Sequence, residues 1–126
     1  MVPMNKKKIL LIEDESNNEQ MIRLRLEASG FCVLQEKEGA QGVKTAQEEK
    51  PDLILMDLVL SDMHGLEVCR QLQSDESCRN IPVIIMTTSG REDVLERCLA
   101  CGAKDLVRKP YDSKALVDKI KALLGA

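Results

Sequence analysis

Aromatic residues are almost missing: one Tyr, one Phe and no Trp among 126 residues. A surface that stacks nucleic-acid bases is therefore not expected, and the core has to be built from Leu, Ile, Val, Met and Ala. Strong positive charge is missing too. A net charge of −3 and a pI near 5.3 disfavour a phosphate-backbone binder, and the one basic run, Lys6-Lys7-Lys8, reads as solubilising charge ahead of the first strand. No apolar stretch is long enough to cross a bilayer. Histidine occurs once, as His64 in a loop, where it is solvated and given no ligand role. Five cysteines form an odd number in a chain without a signal peptide, which points to reduced thiols and a cytoplasmic setting. Cys98-Leu-Ala-Cys101 has CxxC spacing, but no second pair accompanies it, and its helical setting favours core packing over zinc or redox work.

What is present is ordinary for a globular protein: 44% hydrophobic and 31% charged residues. The expectation is one domain over 1–126, with residues 1–5 a disordered tail or residues foreign to it. A chain of this length buries roughly two-thirds of its unfolded surface, so its core needs no staples.

The organising stretch is Pro51-Asp-Leu-Ile-Leu-Met-Asp57. A short, wholly apolar run entered through a turn residue reads as a strand buried on both faces, in the middle of a parallel sheet. Such a strand has no solvent side for a charge, yet it ends on Asp57. A carboxylate there is costly unless it is used, paired or wetted. In open α/β sheets the crevice beyond the carboxyl ends of the strands is where ligands bind.

The rest of the chain repeats this pattern. Ile9-Leu-Leu-Ile12 is apolar and runs into Glu13-Asp14-Glu15. A helix follows, capped by Ser16 or Asn17 and stopped at Gly30. Phe31 to Leu34 is a short strand at the sheet edge. Gly39 opens a helix that Pro51 ends, and after Asp57 a loop from Leu58 to His64 leads through Gly65 into a helix marked by Leu66, Cys69 and Leu72. Val83-Ile-Ile-Met86 is the next strand and runs into Thr87. A helix from Arg91 to about Cys101 is stopped by Gly102. Leu106-Val107 leads to Arg108-Lys109-Pro110, and the last helix carries Leu116, Val117, Ile120, Leu123 and Leu124 at helical spacing. Five alternations of strand and helix give an α/β, doubly wound parallel sheet with five flanking helices.

Parallel strands bring Glu13, Asp14, Asp57, Thr87 and Lys109 to one edge. Each alone has a plain reading: a solvated acidic turn, a loop acid, an edge threonine, a surface lysine. Together, from four separate segments, they point to a site. Two carboxylates about 4 Å apart repel by roughly 4 kcal/mol at an effective dielectric near 20. A divalent cation removes that repulsion, and oxygen ligands with room for water and phosphate oxygens point to Mg²⁺. A metal, a free carboxylate, a hydroxyl and an ammonium suit phosphoryl transfer, with Asp57 attacking phosphorus and carrying an acyl phosphate.

At these residues the chain resembles the receiver domain of two-component response regulators, the CheY-like family. The resemblance rests on Ile9-Leu-Leu-Ile-Glu-Asp14, Pro51 to Asp57, Gly65-Leu-Glu67, Pro82-Val-Ile-Ile-Met-Thr87, Gly102-Ala103 and Lys109-Pro110. It implies a flavodoxin-like fold with strand order 2-1-3-4-5. It also implies Asp57 as phosphoacceptor, Mg²⁺ held by Glu13, Asp14, Asp57 and the Val59 carbonyl, Thr87 as the switch hydroxyl, Lys109 as the phosphoryl-pairing lysine, and a cis Lys109–Pro110 bond. The implied partners are a histidine kinase or phosphotransfer protein upstream and a protein or output domain downstream, with room for a weak homodimer and no direct nucleic-acid or membrane contact. Three departures stand out. Ser61 and His64 replace the usual Pro and Asp, which implies a more mobile loop. Leu106 replaces the usual aromatic, so the face from the Arg91 helix through Tyr111 and the last helix is expected to signal by packing changes.

The competing expectations are a Mg²⁺-dependent phosphohydrolase using the same aspartyl-phosphate step, and a degenerate receiver that only scaffolds. The first lacks an acid two residues after the nucleophile, where Val59 stands, and the complete acid, Thr and Lys set disfavours the second. The main reading is therefore a switch that accepts a phosphoryl group from a histidine kinase on Asp57, an autocatalytic phosphoacceptor and self-dephosphorylating domain rather than a turnover enzyme.

Overall fold

The computed structural model describes residues 6–14 and 16–125, with the side chains of 16–20 left out. The expected tail and Glu15 lie outside the described residues, as do the side chains of the expected cap, Ser16 or Asn17. Strand and helix then alternate: β1 (Lys8–Ile12), α1 (Ser16–Ala28), β2 (Cys32–Glu36), α2 (Gly39–Glu49), β3 (Leu53–Asp57), α3 (Gly65–Ser74), β4 (Val83–Thr87), α4 (Glu92–Ala100), β5 (Asp105–Arg108) and α5 (Ser113–Leu124). All pairings are parallel, in the order β2-β1-β3-β4-β5.

Side chains alternate across a strand, and here the alternation sorts the core into two halves. Ile9, Leu11, Leu53, Leu55, Ile84 and Met86 pack with Ile22 and Leu26 of α1 and Leu116, Val117 and Ile120 of α5. Leu10, Ile12, Ile54, Met56, Val83 and Ile85 pack with Val43 of α2, Val68, Cys69 and Leu72 of α3, and Cys98 of α4. Helices on both faces explain why β3 and β4 are buried along their whole length.

The edge strand is offset from the expected Phe31–Leu34. Phe31 is buried before β2 begins, and the ladder runs from Lys8↔Cys32 to Ile12↔Glu36. Its second flank is open, so Gln35 and Glu36 can be admitted where a central strand would reject them. Gly30 and Gly102 take the left-handed φ values expected of helix stops, 97° and 104°. The thiols of Cys69 and Cys98 are buried in the core, with Cys101 packed against them, as the spacing suggested. Burial, reinforced by Cys101 and Cys98, pushes the Cys69 thiol up to about 11. No helix among the described residues is long and apolar enough to cross a membrane.

Helix α2 ends on an exposed Lys50 with φ 46° and ψ 64°, whose N–H reaches the Ala46 carbonyl. A side chain in this left-handed region meets its own backbone, and glycine does not. Lys50→Gly is expected to raise stability by about 0.5–1 kcal/mol in urea unfolding.

Candidate functional site

Four of the five strands each lead one polar residue to the same rim of the sheet. β1 is followed by Glu13, which is fully buried and extends the ladder by donating its N–H to the Glu36 carbonyl at 3.0 Å. Asp57 closes β3 at 7% exposure and Thr87 closes β4 at 4%. Lys109 follows β5, and its backbone N–H donates to the Thr87 carbonyl at 2.8 Å, which locks the two segments in register. The Lys109–Pro110 bond is cis, as the resemblance implied.

The ammonium of Lys109 binds these segments together. Its Nζ donates to Asp57 Oδ2 at 2.7 Å and stands 3.5 Å from Glu13 Oε1. One cation thus bridges two carboxylates that would otherwise repel in a poorly solvated rim. Asp14 follows Glu13, half-buried, and Val59 stands two residues past Asp57 with an exposed side chain. Both reach the rim by chain position. The Thr87 hydroxyl accepts the Ser89 N–H at 3.0 Å, which ties it to the loop leading into α4.

By formal charge, Glu13, Asp14 and Asp57 exceed Lys109 by two negative charges, an excess a divalent cation would cancel. Among the described residues no three His, Cys, Asp or Glu side chains stand close enough to hold an ion unaided. This donor set still fits Mg²⁺, which keeps several waters and takes only one or two carboxylates.

Three further residues shape the site without having been singled out for it from the sequence. Tyr111, just past Pro110, feels the charge of Glu13. His64 caps α3, its Nδ1 accepting the Leu66 N–H at 3.2 Å. Asp62 reaches across to the start of α2. Histidine is not among the usual capping types, and the partners of Asp62 are 23 and 22 residues away, so local sequence carries no signal for either. The loop expected to be mobile is tied at several points. A cleft of about 490 Å³ adjoins the rim, lined by Glu13, Lys109 and Tyr111 at one end and Ile22, Leu26 and Leu116 at the other.

Residues 9–121 match the response regulator receiver domain family. The chain belongs to that family. It is 37% identical over 118 residues to the phosphate regulon transcriptional regulatory protein PhoB of Pseudomonas aeruginosa, covering 94% of this chain and 52% of PhoB, so it spans about half the length of that relative. It is 35% identical over 119 residues to the polar-differentiation response regulator DivK of Brucella ovis, covering 94% of this chain and 97% of DivK. Among solved structures, the receiver domain of a sensor histidine kinase from Pseudomonas aeruginosa PAO1 superposes with a TM-score of 0.89 at 30% identity, covering 96% of this chain and 99% of that one. That receiver was solved with a magnesium ion coordinated in its active-site cleft. A chemotaxis response regulator of Vibrio cholerae shares the fold at a TM-score of 0.90 and 22% identity, covering 95% and 100% of the two chains.

The receiver rim makes a spectroscopic prediction. Burial first, and then the charge of Glu13, pushes the Tyr111 phenol up to about 12 from an ordinary 10. A folded value above the unfolded one means that this contribution to stability is complete below about pH 10 and is lost as pH rises toward about 12. Tyr111 is the only tyrosine. Ultraviolet titration should therefore show one ionisation near pH 12 in the folded protein and near pH 10 in urea.

Proposed function

We propose that this receiver is a phosphorylatable switch of a two-component phosphorelay and that Asp57 accepts the phosphoryl group in a Mg²⁺-dependent reaction. The observation that carries this reading is the Lys109 bridge from Asp57 to Glu13 at the ends of parallel strands. Glu13, Asp14, Asp57 and the Val59 carbonyl would hold Mg²⁺, which when bound supplies positive charge to the oxygens of the transferring group. The magnesium ion in the Pseudomonas kinase receiver supports that choice of metal.

In the proposed reaction Asp57 attacks phosphorus. A P–O bond to the carboxylate forms as the P–N bond of a phosphohistidine donor breaks, and the proton needed by the departing imidazole comes from solvent. Lys109, already on Oδ2 of Asp57, orients the carboxylate and then compensates charge on the phosphoryl oxygens. Thr87, whose hydroxyl oxygen accepts the Ser89 N–H, donates its hydroxyl proton to one of those oxygens. Water later attacks the acyl phosphate and releases phosphate. Val59, exposed two residues beyond Asp57, cannot protonate a leaving group, so steady turnover of external esters is not expected.

The phosphoryl group raises the local charge from −1 to about −1.5 to −2 and adds acceptor oxygens. Movement of Thr87 and the Ser89 loop would pass to α4, β5 and α5. Leu106 and Val94 pack, half-buried, against the core there. With no hydroxyl at Leu106, the output is a packing change, biased by roughly 1–3 kcal/mol. A histidine kinase or phosphotransfer protein would donate, and a downstream protein or output domain would receive, in the cytoplasm. The names of PhoB and DivK support a regulatory output of this kind.

Acetyl phosphate with Mg²⁺ should add one phosphoryl group per chain, read by intact mass. The label should disappear with EDTA and in Asp57→Asn. An unlabelled wild-type protein, or an Asp57→Asn protein that still labels, would overturn the proposal.

A further inference from the structure

The loop between β3 and α3 carries the Val59 carbonyl, and it is strung between two helix N-termini. Its base is closed by the Gly65 N–H donating to the Leu58 carbonyl at 2.6 Å and by an antiparallel bridge between Val59 and His64. Gly65 is forced there by space, because a Cβ would fall 2.9 Å from the carbonyl oxygens of both Asp57 and Leu58. At the far side of the loop, Asp62 uses both carboxylate oxygens. Oδ1 accepts the Gly39 N–H at 2.8 Å and Oδ2 the Ala40 N–H at 3.0 Å.

Those two N–H groups open α2, and the helix has no cap of its own. Glu38 occupies the capping position with extended backbone, but its side chain makes no capping hydrogen bond. The cap comes instead from a loop 23 residues further along the chain. Packing reinforces it, since a Cβ at Gly39 would fall 2.7 Å from both Met63 Cγ and Val68 Cγ2. Leu60, on the other arm of the loop, is buried in the core beneath. The same hydrogen bonds favour the ionised carboxylate. Burial opposes its ionisation, yet the N–H groups of Ala40, Gly39, Asp62 itself and Met63 hold its carboxyl below its usual value.

We infer that Asp62 is a positioning residue for the metal site. By gripping the N-terminus of α2, it fixes the loop that presents the Val59 carbonyl beside Asp57. This inference rests on the metal site proposed above and adds to it a residue that touches neither metal nor phosphoryl group. Partners that orient metal ligands from behind typically change affinity by about 10–100-fold when removed.

The test is calorimetric Mg²⁺ titration of the wild-type protein, Asp62→Ala and Asp62→Asn, with amide hydrogen exchange at Gly39 and Ala40 measured without metal. Asp62→Ala should raise the Mg²⁺ dissociation constant by about tenfold and speed exchange at both amides. Asp62→Asn keeps one of the two acceptor oxygens and should lose less affinity than Asp62→Ala. An unchanged dissociation constant in a folded Asp62→Ala protein would overturn the inference. A loss of Mg²⁺ affinity in Asp62→Ala without faster exchange at Gly39 and Ala40 would overturn it too, because lost negative charge would then explain the effect. A wild-type protein that takes up no Mg²⁺ would remove the metal site itself, and the inference with it, even with the grip still visible in exchange.

Discussion

Lys109 is what allows Asp57 and Glu13 to be buried at one rim. A buried carboxylate is costly when isolated, and two close together are worse. The ammonium at 2.7 Å from one and 3.5 Å from the other compensates both. Its position is set by the sheet. The Lys109 N–H is bonded to the Thr87 carbonyl, β4 is in register with β3, and the Leu58 N–H is bonded to the Met86 carbonyl. Burial of the apolar residues in β1, β3 and β4, each worth about 1.5–3 kcal/mol when fully enclosed, holds these charged groups where they would not gather on their own.

The sheet supplies side chains, and the loops supply the rest. Thr87 is joined through Ser89 to the entry of α4, while the loop after Asp57 is anchored on α2 and α3. A charge change at Asp57 therefore has two mechanical neighbours: a loop tied down on both sides and a loop leading to the face of α4, β5 and α5. The second lies beside β5, with Gly90 close to the Arg108 guanidinium, and Leu106 of that strand can respond only through packing. In this receiver a signal leaving the rim is expected to take that direction.

Much of this was legible in the sequence because burial and periodicity are local. The apolar runs Ile9–Ile12, Leu53–Met56 and Val83–Met86 mark central strands, and the polar residues that follow them mark the rim. The strand order came from the family resemblance, and the sheet has it. The sequence puts the start of β2 one residue early, at Phe31, because an edge strand mixes polar and apolar residues, and Phe31 packs ahead of the strand. The capping roles of Asp62 and His64 could not be read. Asp62 finds its partners only after α2 and the loop have been folded against each other, and histidine is not a common cap. The proximity of Tyr111 to Glu13 likewise depends on β5 lying at one edge with two strands between it and β1, a tertiary fact with no local signature.

The most direct measurement is a crystal structure grown with Mn²⁺ in place of Mg²⁺, read by anomalous diffraction. One strong peak should lie at the rim, bound by carboxylates among Glu13, Asp14 and Asp57 and by the Val59 carbonyl, with Lys109 still against Asp57. A rim without a peak at saturating Mn²⁺, or a peak elsewhere on the protein only, would contradict the reading of this rim as a metal-assisted phosphoacceptor site.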